Sequence, residues 1–490
     1  MKIRAKILLI VLGLSLQFSC NEWMDLIPPE GLIREEFWQS KEDVESVVMG
    51  AYETFSRQAG RMFMYGELRA DMITGGSSQG GSERNIQEGN IYSDNYLCNW
   101  QEFYKVINYC NEVIANAEDV QALDNTFTDY QLQAYLSEAI FLRSLAYFYL
   151  VRVFKDVPYI TVPSESDDSE FYPEKTDGDV ILGYLIEDLE QFRISATTDG
   201  YKTIEELKGR ATKAAFDALL ADINLWQFDY EAVIRHVSNI ELNKEYKLNE
   251  YNEWFSLFNP GNQAESIFEF QFNTERSQSN SLFGMFLEDN KNTYASTSAI
   301  DLLGPESGEI WRGEGASIVY FGNETQYLIW KYIGSEFGET SSVRSQSEEG
   351  SANFIIYRLP DVLLMKAEAL SQLGQYQEAE DLINFVRGRA QVAPLNIADS
   401  PTAFEDAILD ERARELAFEG KRWFDLMRMG RRNDFKRKNK LIEIILSNVP
   451  STQKRILEVK LSNPLGWYLP IHEDEIERNK NLDQNPYYDI

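Results

Sequence analysis

The sequence contains few of the residues on which metal, redox and nucleophilic chemistry usually depends. Its 490 residues include three cysteines and two histidines. A serine or cysteine nucleophile normally needs a histidine base, yet neither His236 nor His472 lies in a recognisable catalytic motif. The cysteines and histidines also lack the spacing of a zinc site. We therefore predict no catalytic residue, no cofactor and no metal ligand set.

Two of the cysteines, Cys98 and Cys110, lie close together in the sequence. If both belong to one helix around Trp100, their Cα atoms are about 18 Å apart, whereas a disulfide requires about 7 Å or less. We predict two free, buried thiols.

The chain also lacks an apolar run long enough to cross a membrane. The run at residues 7–18 follows the basic residues Lys2, Arg4 and Lys6 and has twelve residues. Twelve helical residues span about 18 Å, against roughly 30 Å of hydrocarbon. Because no later stretch reaches eighteen apolar residues, we interpret residues 1–19 as a signal peptide.

The third cysteine, Cys20, directly follows that segment and allows two interpretations. One is an ordinary secretory cleavage site with an incidental cysteine. The other is a bacterial lipobox, in which cleavage before Cys20 exposes its thiol for lipid attachment. Leu16 and Ser19 fit a lipobox, but Gln17 and Phe18 stand where small or aliphatic residues are usual. We predict that Cys20 is lipidated. Two or three acyl chains would then make a permanent anchor.

Positive charge is scarce relative to negative charge. The chain has 47 Lys and Arg against 79 Asp and Glu, a net charge of −32 at pH 7. Such a chain repels phosphate backbones, which argues against nucleic-acid binding. With 43% hydrophobic residues, the charge does not imply disorder.

Most of the chain has the apolar periodicity of amphipathic helices. Residues 42–55, 99–117 and 137–154 show it clearly. Two further stretches resemble tetratricopeptide repeats. Residues 361–390 are the better match, and residues 216–237 are a weaker copy.

In the better match, two apolar helical stripes flank a turn at Gly374, and the small residues Ala367 and Ala379 let the paired helices approach closely. A generic pair of antiparallel helices is the alternative for either stretch. A single pair cannot bury its apolar face alone, so further pairs must stack beside it.

Two regions break the helical pattern. Residues 72–95 and about 245–352 are rich in Gly, Ser, Asn and aromatics, and strand-like alternation is brief, as in "SIFEFQF". Long loops on a rigid frame commonly carry recognition. The helical tryptophans Trp100, Trp226 and Trp423 are instead assigned to the core.

The segment "ERARELAFEGKRWFDLMR" concentrates charges that could be taken for catalytic groups. They are Glu411, Arg412, Arg414, Glu415, Glu419 and Asp425. Paired carboxylates can hydrolyse glycosides, but 79 acidic residues make coincidental pairs inevitable. We interpret the segment as structural, with Glu411 and Arg414 as an i, i+3 pair and Gly420 as the residue that ends the helix.

Taken in order, six blocks make the chain resemble the SusD/RagB family over nearly its whole length. The blocks are "GAYETF", "NWQEFYKVINYCNEVI", "EAIFLRSLAYFYLVRVFKDVP", "YRLPDVLLMKAEAL", "ILDERARELAFEGKRWFDLMR" and "WYLPIHEDEIERNKNLDQNPYY". Local departures are Pro360, His472 and Tyr487, where the family commonly has a small residue, proline and glycine.

The resemblance implies a mainly α fold with about four tetratricopeptide-like helix pairs and an irregular, loop-rich half that binds ligand. The expected parts are a signal peptide at 1–19, an N-terminal helical region at 20–244 and a C-terminal region at 245–490. The last comprises irregular loops at 245–352 and a helical repeat and tail at 353–490, in one compact unit with the N-terminal region.

The resemblance also implies a surface-exposed lipoprotein of the cell outer membrane, with the lipid on Cys20. Such proteins bind nutrient oligosaccharide or peptide without catalysis and pass it to a TonB-dependent, SusC-like barrel transporter. The alternatives are an exported helical-repeat scaffold that binds only protein, and a surface glycoside hydrolase.

Ligand contacts are expected from aromatic and polar residues in the irregular regions. Sugar rings present apolar faces that stack on flat aromatics, while their hydroxyls need polar partners. The aromatic candidates are Trp311, Tyr320, Tyr327 and Trp330, and the polar candidates are Asp71, Arg84, Asn85 and Asn323.

Overall fold

The computed structural model describes residues 37–164, 172–198, 200–287, 290, 292–320, 326–338, 343–344, 348 and 350–489. The predicted signal peptide and Cys20 lie outside these ranges. The chain is mainly helical, as predicted. The α-helices are α1 Lys41–Ser56, α2 Ala59–Glu67, α3 Gly81–Gln87, α4 Gln101–Leu123, α5 Asp129–Phe154, α6 Gly178–Arg193, α7 Ile204–Gly209, α8 Lys213–Trp226, α9 Tyr230–Leu242, α10 Leu282–Phe286, α11 Thr297–Leu303, α12 Leu359–Gln372, α13 Tyr376–Arg389, α14 Pro401–Glu415, α15 Arg422–Phe435, α16 Lys438–Leu446, α17 Ser451–Ser462 and α18 Glu473–Arg478.

The strands are short and form three small antiparallel sheets. They are β1 Ile73–Gly75, β2 Val157–Pro158, β3 Lys175–Thr176, β4 Ser266–Phe270, β5 Thr293–Ala295, β6 Ile318–Tyr320, β7 Tyr327–Ile329 and β8 Phe354–Arg358. The sheet orders are β1-β5-β7-β6, β2-β3 and β4-β8. Only β4 was expected, from the alternation of "SIFEFQF". The irregular regions also contain β1, β5, β6 and β7.

Within the described ranges, helices pack in the pairs α1–α4, α5–α6, α8–α9 and α12–α13, and α4 also packs along α5, which joins the first two pairs. The two repeat-like stretches are the last two pairs. In the α12–α13 pair, Ala367 and Ala379 are fully buried, and Gly374 makes the turn with a φ of 78°. Stacked pairs cover one another's apolar faces, as repeat architecture requires.

The core is one contiguous cluster that extends from Trp38 to Leu482. Trp100, Trp226 and Trp423 are buried in it, as predicted. Among the described residues, no helix is long and apolar enough to cross a bilayer.

Cys98 and Cys110 are free and buried, which confirms that prediction. They do not share a helix, however. Cys98 ends the 3-10 turn Tyr96–Cys98, and Cys110 lies on α4.

Buried ion pairs join α14 to the irregular half at Arg312 and to β8 at Arg358. Glu415 contacts Arg312 at 2.9 Å and Arg358 at 2.6 Å. Burial opposes the charge of the Glu415 carboxylate, but the guanidinium groups of Arg389, Arg358 and Arg312 hold its pKa well below the usual range. The Glu415 carboxylate is fully buried and ion-paired, which supports the structural interpretation of this segment.

Two details of that interpretation are wrong. Glu411 pairs with Arg312 and Arg387 rather than with Arg414, because both guanidiniums reach it in the interior. Gly420 does not end α14, since the helix finishes five residues earlier. Gly420 instead lies against Gly66, where a Cβ atom would come within 1.8 Å of the Gly420 carbonyl oxygen.

Candidate ligand-binding surface

The four-stranded sheet brings the 72–95 segment together with the irregular second half. In β1 and β5, Ile73 lies opposite Ala295. Ala295 in turn lies opposite Tyr327, and Tyr320 lies opposite Tyr327 in β6 and β7. Two of the aromatic candidates thus belong to the same sheet as the first irregular segment.

Tyr320 and Tyr327 form a cross-strand aromatic pair at the surface. Their ring centroids are 5.4 Å apart, and the rings are inclined by 58°. Tyr320 is 46% exposed and Tyr327 is half-buried. Partial burial raises the pKa of Tyr327 above its ordinary value. The phenol is therefore neutral at physiological pH and can both donate and accept a hydrogen bond.

Helix α3, which carries Arg84 and Asn85, follows β1 after a short turn. Arg84 is exposed, and its guanidinium donates a hydrogen bond to the Gln79 carbonyl at 3.4 Å. Asn85 is half-buried, and its carbonyl accepts a hydrogen bond from the backbone N–H of Asn90. Arg84 and Asn85 therefore lie on a helix beside the β1 edge of the sheet, whereas Tyr320 and Tyr327 lie on β6 and β7.

Two exposed tyrosines beside α3 were not singled out from the sequence. Tyr92 is 59% exposed and Tyr96 is 43% exposed. The Tyr96 hydroxyl donates to Glu83 at 2.7 Å, and the Asn95 amide donates to the Ser82 carbonyl at 2.9 Å. The available signal was aromatic residues at the end of a segment rich in Gly and Ser.

Trp311 belongs to a separate aromatic cluster. Its ring lies 4.4 Å from that of Tyr251 and 5.3 Å from that of Phe337, measured between centroids. The indole N–H donates to Gln391 at 3.1 Å. Trp311 is half-buried, so part of its side chain is accessible to solvent. Its ring partners are Tyr251 and Phe337, not the Tyr320–Tyr327 pair.

Trp330 is not a surface residue, and its selection as a ligand contact was wrong. Its side chain is fully buried, and the indole N–H donates to the Glu336 carbonyl at 3.2 Å. A Cβ atom at Gly334 would lie 2.1 Å from the same indole nitrogen. The ring is in the core because it ends the apolar run that continues from β7.

Asp71 is also buried, and its side chain is hydrogen-bonded within the protein. It is 3% exposed, and its carboxylate accepts two hydrogen bonds from Arg422, at 2.7 and 3.1 Å. Its backbone carbonyl accepts a further hydrogen bond from Asn448. Asp71 therefore fixes the start of β1 and has no free oxygen to offer a ligand. Asn323 lies outside the described residues.

Comparison with known proteins identifies the family to which the chain is similar. One family model, described as the SusD family, matches residues 287–488. A second, described as starch-binding and associating with the outer membrane, matches residues 22–225. SusD-like protein P38 of Formosa agariphila is 24% identical over 96% of this chain and 97% of its own length.

Solved structures share the fold. A SusD superfamily protein from Bacteroides vulgatus has a TM-score of 0.76 at 21% identity and covers 92% of this chain and 100% of its own. A laminarin-binding SusD-like protein has a TM-score of 0.72 at 22% identity, with coverage of 91% and 99%. These structures show the shared fold, and the two family models together with the full-length relative show that the chain belongs to the SusD family.

Proposed function

We propose that this chain is a non-catalytic, surface-exposed lipoprotein that binds a nutrient glycan and delivers it to a TonB-dependent, SusC-like transporter. Members of the family are generally non-catalytic binding proteins, and the family is associated with the outer membrane. The observation that carries the proposal is the exposed Tyr320–Tyr327 pair, set in one sheet with the 72–95 segment.

A glycan is favoured over a peptide by the chemistry of that surface. Inclined tyrosine rings offer apolar faces to sugar C–H groups, while their hydroxyls and the Arg84 guanidinium can bond to sugar hydroxyls. A structural relative binds laminarin, a glycan. Oligosaccharides of that kind are therefore the first ligands to test.

Partnership with a transporter allows weak binding to be sufficient. A millimolar site provides about 4 kcal/mol. If the chain closes over a barrel, contacts from two proteins surround one ligand at a high effective concentration. Purification from native membranes in mild detergent should recover the chain with a barrel partner, and recovery of monomer alone would oppose the proposal.

Anchoring is proposed to depend on Cys20. Cys20→Ala should move the protein from the membrane fraction to the soluble fraction without lowering its melting temperature. A variant that stays in the membrane as an integral protein would contradict the proposed lipid anchor.

The ligand surface is tested with Tyr320→Ala and Tyr327→Ala, singly and together. Loss of one stacking contact costs about 0.5–1.5 kcal/mol, so each change should weaken binding roughly two- to tenfold. Affinity is measured by calorimetry against laminarin, starch, xylan and mannan oligosaccharides, and released sugars are assayed to detect any hydrolysis.

The matched control is Tyr184→Ala, which removes an exposed tyrosine from α6. It should leave affinity unchanged. Unchanged affinity in the Tyr320→Ala, Tyr327→Ala double variant would show that the sheet is not the binding surface. Turnover of any glycan would show that the chain is an enzyme.

A further inference from the structure

We propose that a second glycan-binding site lies in a cleft on the helical side of the molecule, between α1, α7 and the turn after β4. This inference rests on the proposed function, because it assigns the same ligand class to a different place. The cleft has a volume of about 590 Å³, within the range of small-molecule sites, roughly 300–1,000 Å³. Its walls include Met49, Gly50, Phe270 and Gln278, and it shares no residue with the tyrosine sheet or with α3.

The floor of the cleft is rigid. The Arg210 guanidinium donates two hydrogen bonds to Glu138, at 2.9 and 2.7 Å. The Tyr52 hydroxyl donates to the same carboxylate at 2.8 Å and accepts from the backbone N–H of Ala211 at 2.8 Å. Arg210 also lies 4.8 Å from the ring centroid of Tyr201. A site whose groups are already held in place loses little freedom on binding.

The rim, in contrast, carries polar side chains that are free to bind a ligand. Within the part of the chain that the structure describes, the side chains of Glu205, Arg276 and Gln278 make no hydrogen bond or ion pair, although all three line the cleft. Glutamate accepts, arginine donates, and glutamine does both. A ligand that both donates and accepts at many points, as a sugar does, satisfies such a rim.

Charge disfavours an anionic ligand. Glu45, Glu53, Glu205 and Glu206 would repel an anion, and the charge of Arg210 is already balanced by Glu138, which leaves Arg276 as the cation of the rim. The partly exposed side chain of Met49 offers an apolar surface against which a sugar ring can lie. These properties favour a neutral oligosaccharide over a phosphate or a uronate.

A neighbouring chamber of about 290 Å³ shares Glu45, Glu206 and Arg210 with the cleft. This chamber contains Tyr130, which is 62% exposed and can supply a stacking face. The two chambers adjoin at Arg210, an arrangement that suits a ligand chain rather than a single sugar.

Filling the cleft provides the test. A Cβ atom at Gly50 meets nothing within 4 Å, so Gly50→Leu should be tolerated by α1 while obstructing the cleft. Gly183→Leu is the matched control, since Gly183 lies within α6, also has open space, and is not part of the cleft. Arg276→Ala with Gln278→Ala removes rim contacts at exposed positions and decides the question if Gly50→Leu lowers the melting temperature.

The probes are neutral gluco-, xylo-, manno- and galacto-oligosaccharides, titrated by calorimetry into the full mature chain. We expect Gly50→Leu and the rim variant to weaken binding of at least one probe tenfold or more, and Gly183→Leu to change it less than twofold. Binding that is lost only in the Tyr320→Ala, Tyr327→Ala variant would refute the proposed cleft site and leave the proposed tyrosine surface supported. Binding that is lost only in the cleft variants would do the reverse, and a wild-type chain that binds none of the probes would overturn both.

Discussion

Replacing Glu368 by glutamine should destabilise the protein strongly at neutral pH and hardly at all in acid. Glu368 lies on α12 and is 5% exposed. Its carboxylate accepts hydrogen bonds from Arg428, at 3.0 and 2.7 Å, and from Arg432. Burial alone would raise the pKa of Glu368, but the two guanidinium charges outweigh it and lower the pKa from 4.5 to about 2.

The magnitude follows from that pKa. A carboxyl whose pKa falls on folding stabilises the native state fully above its unfolded pKa and loses this contribution as the pH falls through its folded pKa. The shift from 4.5 to about 2 corresponds to about 3 kcal/mol. Breaking a buried pair by removing one charge costs about 3–5 kcal/mol, which agrees.

Urea unfolding of the wild type and of Glu368→Gln at several pH values between 7 and 2 measures this effect. The difference in free energy of unfolding should be about 3 kcal/mol at pH 7 and should shrink as the pH falls from about 4.5 towards 2. Glu443→Gln is the control, because Glu443 is 72% exposed and contacts Lys440 at 3.4 Å. Its loss should cost roughly 0.5 kcal/mol or less. Equal stability of wild type and Glu368→Gln at pH 7, or a difference that does not shrink in acid, would refute the reasoning.

Three further outcomes follow from the packing. Trp330→Ala should lower the free energy of unfolding by about 3–5 kcal/mol, because the ring is fully buried, and should weaken ligand binding of the folded fraction less than Tyr320→Ala does in calorimetry, because the buried ring positions the tyrosine pair without lying at the surface. Gly66→Ala should prevent folding, as judged by circular dichroism, because its Cβ would lie 1.8 Å from a facing carbonyl oxygen, whereas Gly183→Ala has open space and should fold normally. Cys98 and Cys110 should resist iodoacetamide at pH 8 in the native protein and react after unfolding, since burial raises the pKa of Cys110 to about 12 and that of Cys98 further; rapid native labelling would contradict their burial.

The helical frame could be predicted from the sequence because its signals are local. The α12–α13 pair repeats apolar residues at helical spacing on either side of Gly374, and each helix is fourteen residues long. Such a pattern is visible in a short window. The buried Trp226 was recognised for the same reason, since it lies on one apolar stripe with its neighbours.

The candidate surface could be predicted only as a region. Strands β1 and β5 have three residues each, and they pair across more than two hundred positions of sequence, so neither has a local pattern that identifies its partner. Tyr327 and Trp330 stand three residues apart in one apolar run, yet only Tyr327 reaches the surface. Which of them is buried depends on tertiary packing that periodicity does not record.

Residues wrongly selected as ligand contacts explain how that surface is held. Asp71 binds Arg422 of α15 at 2.7 Å and so fixes the start of β1 to the helical half. Trp330 fills the core directly after β7. Asp71 thus connects the first irregular segment to the helices through Arg422, and Trp330 connects the second to the common core. Because rigid placement reduces the freedom lost on binding, we expect the proposed Tyr320–Tyr327 contact to depend on Asp71 and Trp330 for its position, although both of these side chains are buried.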